Sequence, residues 1–237
     1  LDKVGRSKKP EDLRLRARLA RLQGDHAAAR ELLDEAERRY EGPWHRHEVF
    51  VHTERARMAV DEGRLDEAID HYEAADGAMR GYWGTYAGLA RVHLLQGAPE
   101  RALEVVERST EQPSMPEILD VKAEALQALG RPDEARAAVT EARAAWDARL
   151  AAWPAATPIE AVEHRLRWAT PQEAVALAER DHAARPFAEA KLSLARAYHR
   201  AGRHREAQEL LTAVVASGFR PLLTARIGEQ LGVREGQ

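Results

Sequence analysis

The stretch LARVHLLQGAPERALEVVERS, residues 89–109, decides the fold. Apolar residues recur at helical spacing from Leu89 to Leu95, and Gly97 then ends the pattern. Gly stops a helix here because it enters the left-handed conformation at little cost. Pro99 follows in the first turn of a second helix, where its missing N–H costs nothing. Glu100 stands in the same turn and faces the positive end of the helix dipole. Ala90 lies seven residues before Gly97, and Ala102 lies five after it. Two small side chains at those places let antiparallel helices approach closely. The stretch reads as a helical hairpin.

The same spacing recurs outward in both directions. Gly24, Gly63, Gly130 and Gly202 each have Ala seven residues earlier (Ala17, Ala56, Ala123, Ala195) and five later (Ala29, Ala68, Ala135, Ala207). A sixth, degenerate unit fills the wide gap after Gly130: Ala169 takes the Gly place, with Val162 before it and Ala174 after. Pro132 and Pro171 match Pro99. The six turns are spaced 39, 34, 33, 39 and 33 residues apart. A period of this size marks a tandem repeat.

The pattern resembles the tetratricopeptide repeat, a helix–turn–helix with a small residue in helix A, Gly at the turn and Ala early in helix B. The resemblance is carried by LARLQGDHAAA, RARMAVDEGRLDEA, LARVHLLQGAPERA, KAEALQALGRPDEA and LARAYHRAGRHREA. It covers about residues 10–217. It implies an all-α chain: a right-handed superhelical solenoid of antiparallel helix pairs with a C-terminal capping helix. The match departs near the start of helix A, where His52, Pro158 and Lys191 replace the aromatic or Leu. The closing Pro of the family survives as Pro186.

Composition agrees. Of 237 residues, 46 are Ala and only 13 are Phe, Trp or Tyr, while 32% are charged. Such a mixture favours helix and leaves too few β-branched and aromatic positions for a sandwich or barrel. There is no Cys, so disulfides, thiolate zinc sites and cysteine nucleophiles are excluded. A net charge of -3 implies no bulk attraction to nucleic acid. No stretch approaches 18 consecutive apolar residues, so no membrane span is read. Arg outnumbers Lys 31 to five, a bias that fits a GC-rich, bacterial genome as well as any need for guanidinium chemistry.

The expected organisation is a polar basic tail or linker over 1–9 and one helical repeat domain over 10–237. Its units run over about 10–43, 44–82, 83–115, 116–154, 155–187 and 188–220. The first 39-residue spacing is expected to house a long helix A starting near Trp44. The second is expected to extend a helix B through WDARLAAW to Pro154. An amphipathic cap is expected over about 221–231, where Leu222, Leu223, Ile227 and Leu231 would cover the last apolar face. A cytoplasmic location is expected. The start at Leu1 and its basic lead-in also fit a module from a larger chain or a tether.

The resemblance places a ligand groove on the A helices. One inward position lies six residues before each turn and reads Arg18, Arg57, Arg91, Glu124, Glu163 and Arg196. One helical turn earlier stand Arg14, Thr53, Ala87, Asp120, Ile159 and Leu192. The candidate groove residues are therefore Arg14, Arg18, Arg57, Arg91, Tyr86, Glu124, Arg196, His199 and Arg200. Guanidinium groups pair with carboxylates bidentately, so the basic first three units suit an acidic peptide segment or a chain terminus. The competing reading pairs each Arg with a Glu of the next helix. The Lys, Asn, Asn, Lys, Arg clamp of the family's chaperone-binding members is not matched.

The aromatic run GYWGTYAG, with Tyr82, Trp83 and Tyr86, reads either as core packing or as an anchor patch for a partner. In the second case Gly81, Gly84 and Gly88 would let a partner backbone come near. The histidines of HRHEVFVHTE (His45, His47, His52) do not share one helix face, so no metal site is expected. No nucleophile elbow, phosphate loop or dinucleotide fingerprint is present. The expected function is a non-enzymatic protein-interaction scaffold without cofactors, binding a protein or peptide and no nucleic acid. The alternatives are a regulatory or targeting module and a self-associating structural repeat protein.

Overall fold

A computed structural model of the chain describes residues 7–42, 46–109, 114–153, 159–217 and 219. Among the described residues there are twelve α-helices and no strands. They pair in chain order. The first pair is α1 (Pro10–Leu22) with α2 (His26–Arg38), and the second is α3 (Arg46–Asp61) with α4 (Leu65–Ala78). The third is α5 (Trp83–Leu95) with α6 (Pro99–Glu107), and the fourth is α7 (Pro116–Ala128) with α8 (Pro132–Ala152). The fifth is α9 (Ile159–Trp168) with α10 (Pro171–Ala184), and the sixth is α11 (Ala188–Arg200) with α12 (His204–Ala216). The chain divides into two compact bodies, residues 1–142 and 143–237, with the division inside α8.

Each turn glycine adopts the left-handed conformation, from φ +70° at Gly130 to +78° at Gly24. At Gly97 the Ala98 N–H reaches back to His93 O at 2.9 Å, and the Gly97 N–H to Leu94 O at 3.1 Å. This doubly bonded cap satisfies carbonyls that the helix leaves open. The same two bonds recur at Gly24, Gly63, Gly130 and Gly202. Pro99, Pro132 and Pro171 begin α6, α8 and α10, and Asp66, Glu67, Asp133 and Glu134 occupy first turns. The paired alanines before and after the glycines are all buried, at most 5% exposed.

The extra residues of the two wide spacings are helical. Helix α3 runs 16 residues, and α8 runs 21. In the second body, Trp146 and Leu150 on the extension of α8 enter one apolar cluster with Val162 and Leu166 of α9 and Leu177 of α10. Trp146 is fully buried there, under the Arg149 guanidinium at 4.8 Å. The expected cap over 221–231 and residues 1–6 of the expected tail lie outside the described residues.

Within the first body α3, α5 and α7 each pack on both helices of the pair before, and α1, α3 and α5 each pack on their own B helix. The junction of the first two pairs is heavily charged at its margins. Arg21 of α1 pairs with Asp61 at 2.5 Å and Glu54 at 3.5 Å. Glu62 takes Arg30, Arg64 and His26. Burial pushes the Glu62 carboxyl up, but hydrogen bonds from Arg64, Arg30 and His26 outweigh it and hold the pKa down to about 2.

Candidate functional site

The first body brings the basic positions of α1, α3 and α5 onto successive A helices, and their environments differ. Arg14 is half-buried and lies over the Phe50 ring at 4.8 Å, an arrangement the ring quadrupole favours. Its Nε is buried without a hydrogen-bond partner among the described residues, and burial lowers the guanidinium pKa. Arg18, one helical turn on, is exposed and makes no ion pair among the described residues. Arg57 pairs with Glu54 on its own helix at 2.6 Å.

From the third pair onward the column six residues before each turn pairs with itself. Arg91 reaches Glu124 of the following A helix at 3.6 Å. In the second body Arg196 pairs with Glu163 of the preceding A helix. Arg91, Glu124, Glu163 and Arg196 thus form two ion pairs between repeat-equivalent positions. Pairing between neighbouring helices, the competing expectation for the column, describes these four residues.

Phe50 extends the Arg14 contact into a row of rings. It meets Tyr82 edge-on at 6.2 Å, and Tyr82 meets Trp83 at 5.6 Å. All three rings are half-buried. Arg14, Phe50, Tyr82 and Trp83 therefore run from α1 across α3 to the start of α5. Phe50 was missed from sequence because its segment drew notice for histidines; its one signal was being one of three Phe in the chain.

Two expected groove residues make contacts within the chain. Tyr86 is 3% exposed, under the Arg108 guanidinium at 5.5 Å, while Arg108 pairs with Asp76 at 2.8 Å. Burial, and behind it the Asp76 carboxylate, pushes the Tyr86 phenol pKa up. Arg200 turns back onto α9 and donates to the carbonyls of Arg165, Leu166 and Ala169, the first and last at 3.0 and 2.6 Å. His199 faces His204 with their Nδ1 atoms 3.1 Å apart. Gly88 also serves the interior: a Cβ there would stand 2.4 Å from the Tyr72 ring, so this glycine admits Tyr72 rather than a partner backbone.

The histidines separate as the helical spacing predicts. His47 is buried and stacks on Tyr40 at 4.2 Å, while His52 faces His71 of α4. Burial lowers the pKa of all three, assisted at His47 by Arg14. His45 lies outside the described residues. Among the described residues no cluster of three His, Asp or Glu side chains could hold a metal ion. No described helix is long and apolar enough to cross a membrane.

Three family models described as tetratricopeptide repeat match the chain, at residues 14–84, at 59–125, and at 118–141 together with 188–211. No curated protein sequence matches it. Similar solved structures include the MamA protein, 16% identical over 77% of this chain and 94% of that one, with a TM-score of 0.39. TTC0263, a thermophilic TPR protein in Thermus thermophilus, is 14% identical over 95% of this chain and 100% of that one, at 0.43. The human IFIT1 dimer with PPP-AAAA is 15% identical over 88% of this chain and 54% of that one, at 0.49.

Proposed function

Because this chain belongs to the tetratricopeptide repeat family, we propose that it is a protein-interaction scaffold whose first three A helices hold an acidic peptide segment. The observation that carries this reading is the contrast within the basic column. Arg18 is exposed and unpaired among the described residues, beside an Arg14 whose Nε has no partner, whereas Arg91 and Arg196 are matched to Glu of their own chain. An arginine without an internal carboxylate accepts one from a partner in bidentate geometry. The half-buried row of Phe50, Tyr82 and Trp83 supplies apolar contact beside it, and such anchors carry most of the energy of small interfaces.

On this reading the protein is non-enzymatic. Binding depends on preformed helices, so little ordering cost opposes it. Charge at Arg14 and Arg18 sets the sign of the accepted segment, and Arg57 extends the surface where Glu54 releases it.

Fluorescence polarisation against a panel of acidic peptides, with and without an aromatic residue, tests the proposal. The joint change of Arg18 and Arg57 to Glu is expected to weaken the best acidic peptide at least tenfold. The reading fails if no acidic peptide binds, or if the double variant binds as the native chain does.

A further inference from the structure

The repeat provides an internal reference for the exposed leucines of α1. Five residues before each turn stand Met58, Val92, Ala125, His164 and Ala197 in the second to sixth pairs, each 2% exposed or less. Met58 shows what the position is for: it packs in one apolar cluster with Ala17, Ala20, Ala29 and Leu33 of the first pair. The place belongs to the core of the pair before. In α1 the same place is Leu19, which is 46% exposed, and Leu15 one turn earlier is 59% exposed. Among the described residues no helix covers this leucine-bearing side of α1.

The charges repeat the comparison. On α3, eight residues before its turn, Arg55 reaches Asp34 and Glu37 of the preceding B helix, each at 2.8 Å. Arg16 holds the same place on α1. Its contact is the Ser7 carbonyl at 3.5 Å, and it makes no ion pair among the described residues. The surface of α1 thus offers an aliphatic stripe with a guanidinium at its margin, arranged as on α3 for a helix that carries acids three residues apart.

We propose that the Leu15–Leu19 side of α1 is a second docking surface, and that its occupant is an amphipathic partner helix with an aliphatic stripe flanked by an acidic i,i+3 pair. Its form is set by the way α2 covers α3. Apolar contact comes from Leu15 and Leu19, and Arg16 fixes direction by pairing with both acids at once. None of Leu15, Arg16 and Leu19 is part of the Arg14, Phe50, Tyr82 and Trp83 row.

The probe is a synthetic helix of the chain's own residues 26–39, HAAARELLDEAERR, acetylated, amidated and labelled with fluorescein. Fluorescence polarisation against the intact chain is expected to show saturable binding. Leu19→Asp, at an exposed position, and Arg16→Glu, at a half-buried one, both checked by circular dichroism, are each expected to weaken it at least tenfold. A probe with Lys in place of both acids is expected to prefer the Arg16→Glu variant over the native chain. Absence of binding overturns the proposal, as does binding that neither variant alters. Sedimentation showing that the unlabelled chain self-associates, and that Leu19→Asp makes it monomeric, assigns the face to a second copy and overturns it too.

Discussion

The turn between α5 and α6 and the turn between α9 and α10 join hairpins of the same kind by different means. At the first, Gly97 at φ +73° folds the chain back on itself, and two backbone bonds satisfy the end of α5. Helix α6 then opens on Ala98 and Pro99 with no side-chain cap. At the second, Ala169 stands where Gly would be and does not take a positive φ. The end of α9 is satisfied by Arg200, which arrives from α11, and α10 opens on a full capping box between Thr170 and Glu173. A glycine turn is self-sufficient, because its geometry is local. The Ala169 turn borrows its cap from a residue 31 positions later, so its integrity depends on the docking of the sixth pair. Arg200 spends its donors on these carbonyls.

The largest expected effect breaks that dependence. Arg200→Met removes charge-assisted bonds to three carbonyls and leaves them facing the α9–α11 contact. The expected cost is roughly 2–3 kcal/mol, read by urea denaturation, with faster amide exchange at the end of α9 than at the end of α5. Arg200→Lys is expected to recover little, since a single ammonium cannot span the carbonyls as the planar fork does. If Arg200→Met leaves exchange at α9 unchanged, the borrowed cap is unimportant and the two turns are equivalent.

Next come the glycines. Nothing lies within 4 Å of a Cβ added at Gly97, so Gly97→Ala isolates the backbone conformation. The expected loss is about 1–2 kcal/mol. The reciprocal change, Ala169→Gly, is expected to destabilise by under about 1 kcal/mol through chain entropy, rather than restore a backbone cap. Stabilisation by Ala169→Gly would show that this degenerate turn is a damaged copy of the others and not a separate solution.

The hairpins were legible in the sequence because their determinants are local. A left-handed Gly, small residues at fixed offsets and Pro in first turns act within a single hairpin. The degenerate unit is legible from the wide spacing with Pro171 and Ala174 in their places, and Pro154 marks the end of the long α8 to within two residues. The candidate site was less legible, because which cation stays available depends on other helices. Arg200 sits on the face expected to line a groove, yet the missing Gly at 169 recruits it. Tyr86 is drawn inward by Asp76 and Arg108. The pairing of Arg91 with Glu124 and of Glu163 with Arg196 follows only when the column is read as spatial neighbours. Arg18 differs from these in meeting no carboxylate among the described residues, which no local pattern announces.

The opening of α10 supplies a smaller test of the same contrast. Thr170 accepts from the Glu173 N–H at 3.3 Å, and the Glu173 carboxylate accepts from the Thr170 N–H at 3.1 Å. Thr170→Ala is expected to cost about 1 kcal/mol. Ala98 at the matching place has no side-chain bond to lose.

The smallest effect is one of pH. The Thr170 backbone N–H, then Arg143 and the Thr170 hydroxyl, hold the Glu173 carboxyl at about 2 against an ordinary value of 4.5. A depressed carboxyl stabilises the folded state fully above its ordinary pKa, and that contribution is lost as pH falls from there toward the folded value. The Gly97 turn has no such group in its cap, so between about pH 5 and about 2 the α9–α10 turn should weaken relative to α5–α6. Carboxyl NMR is expected to place the Glu173 inflection near 2, and Arg143→Ala to raise it. Amide exchange, corrected for intrinsic pH dependence, should show α10 losing protection before α6 as the solution is acidified. Equal loss at both helices would mean that the capping box is redundant with packing. The two turns would then differ in how they close but not in what holds them closed.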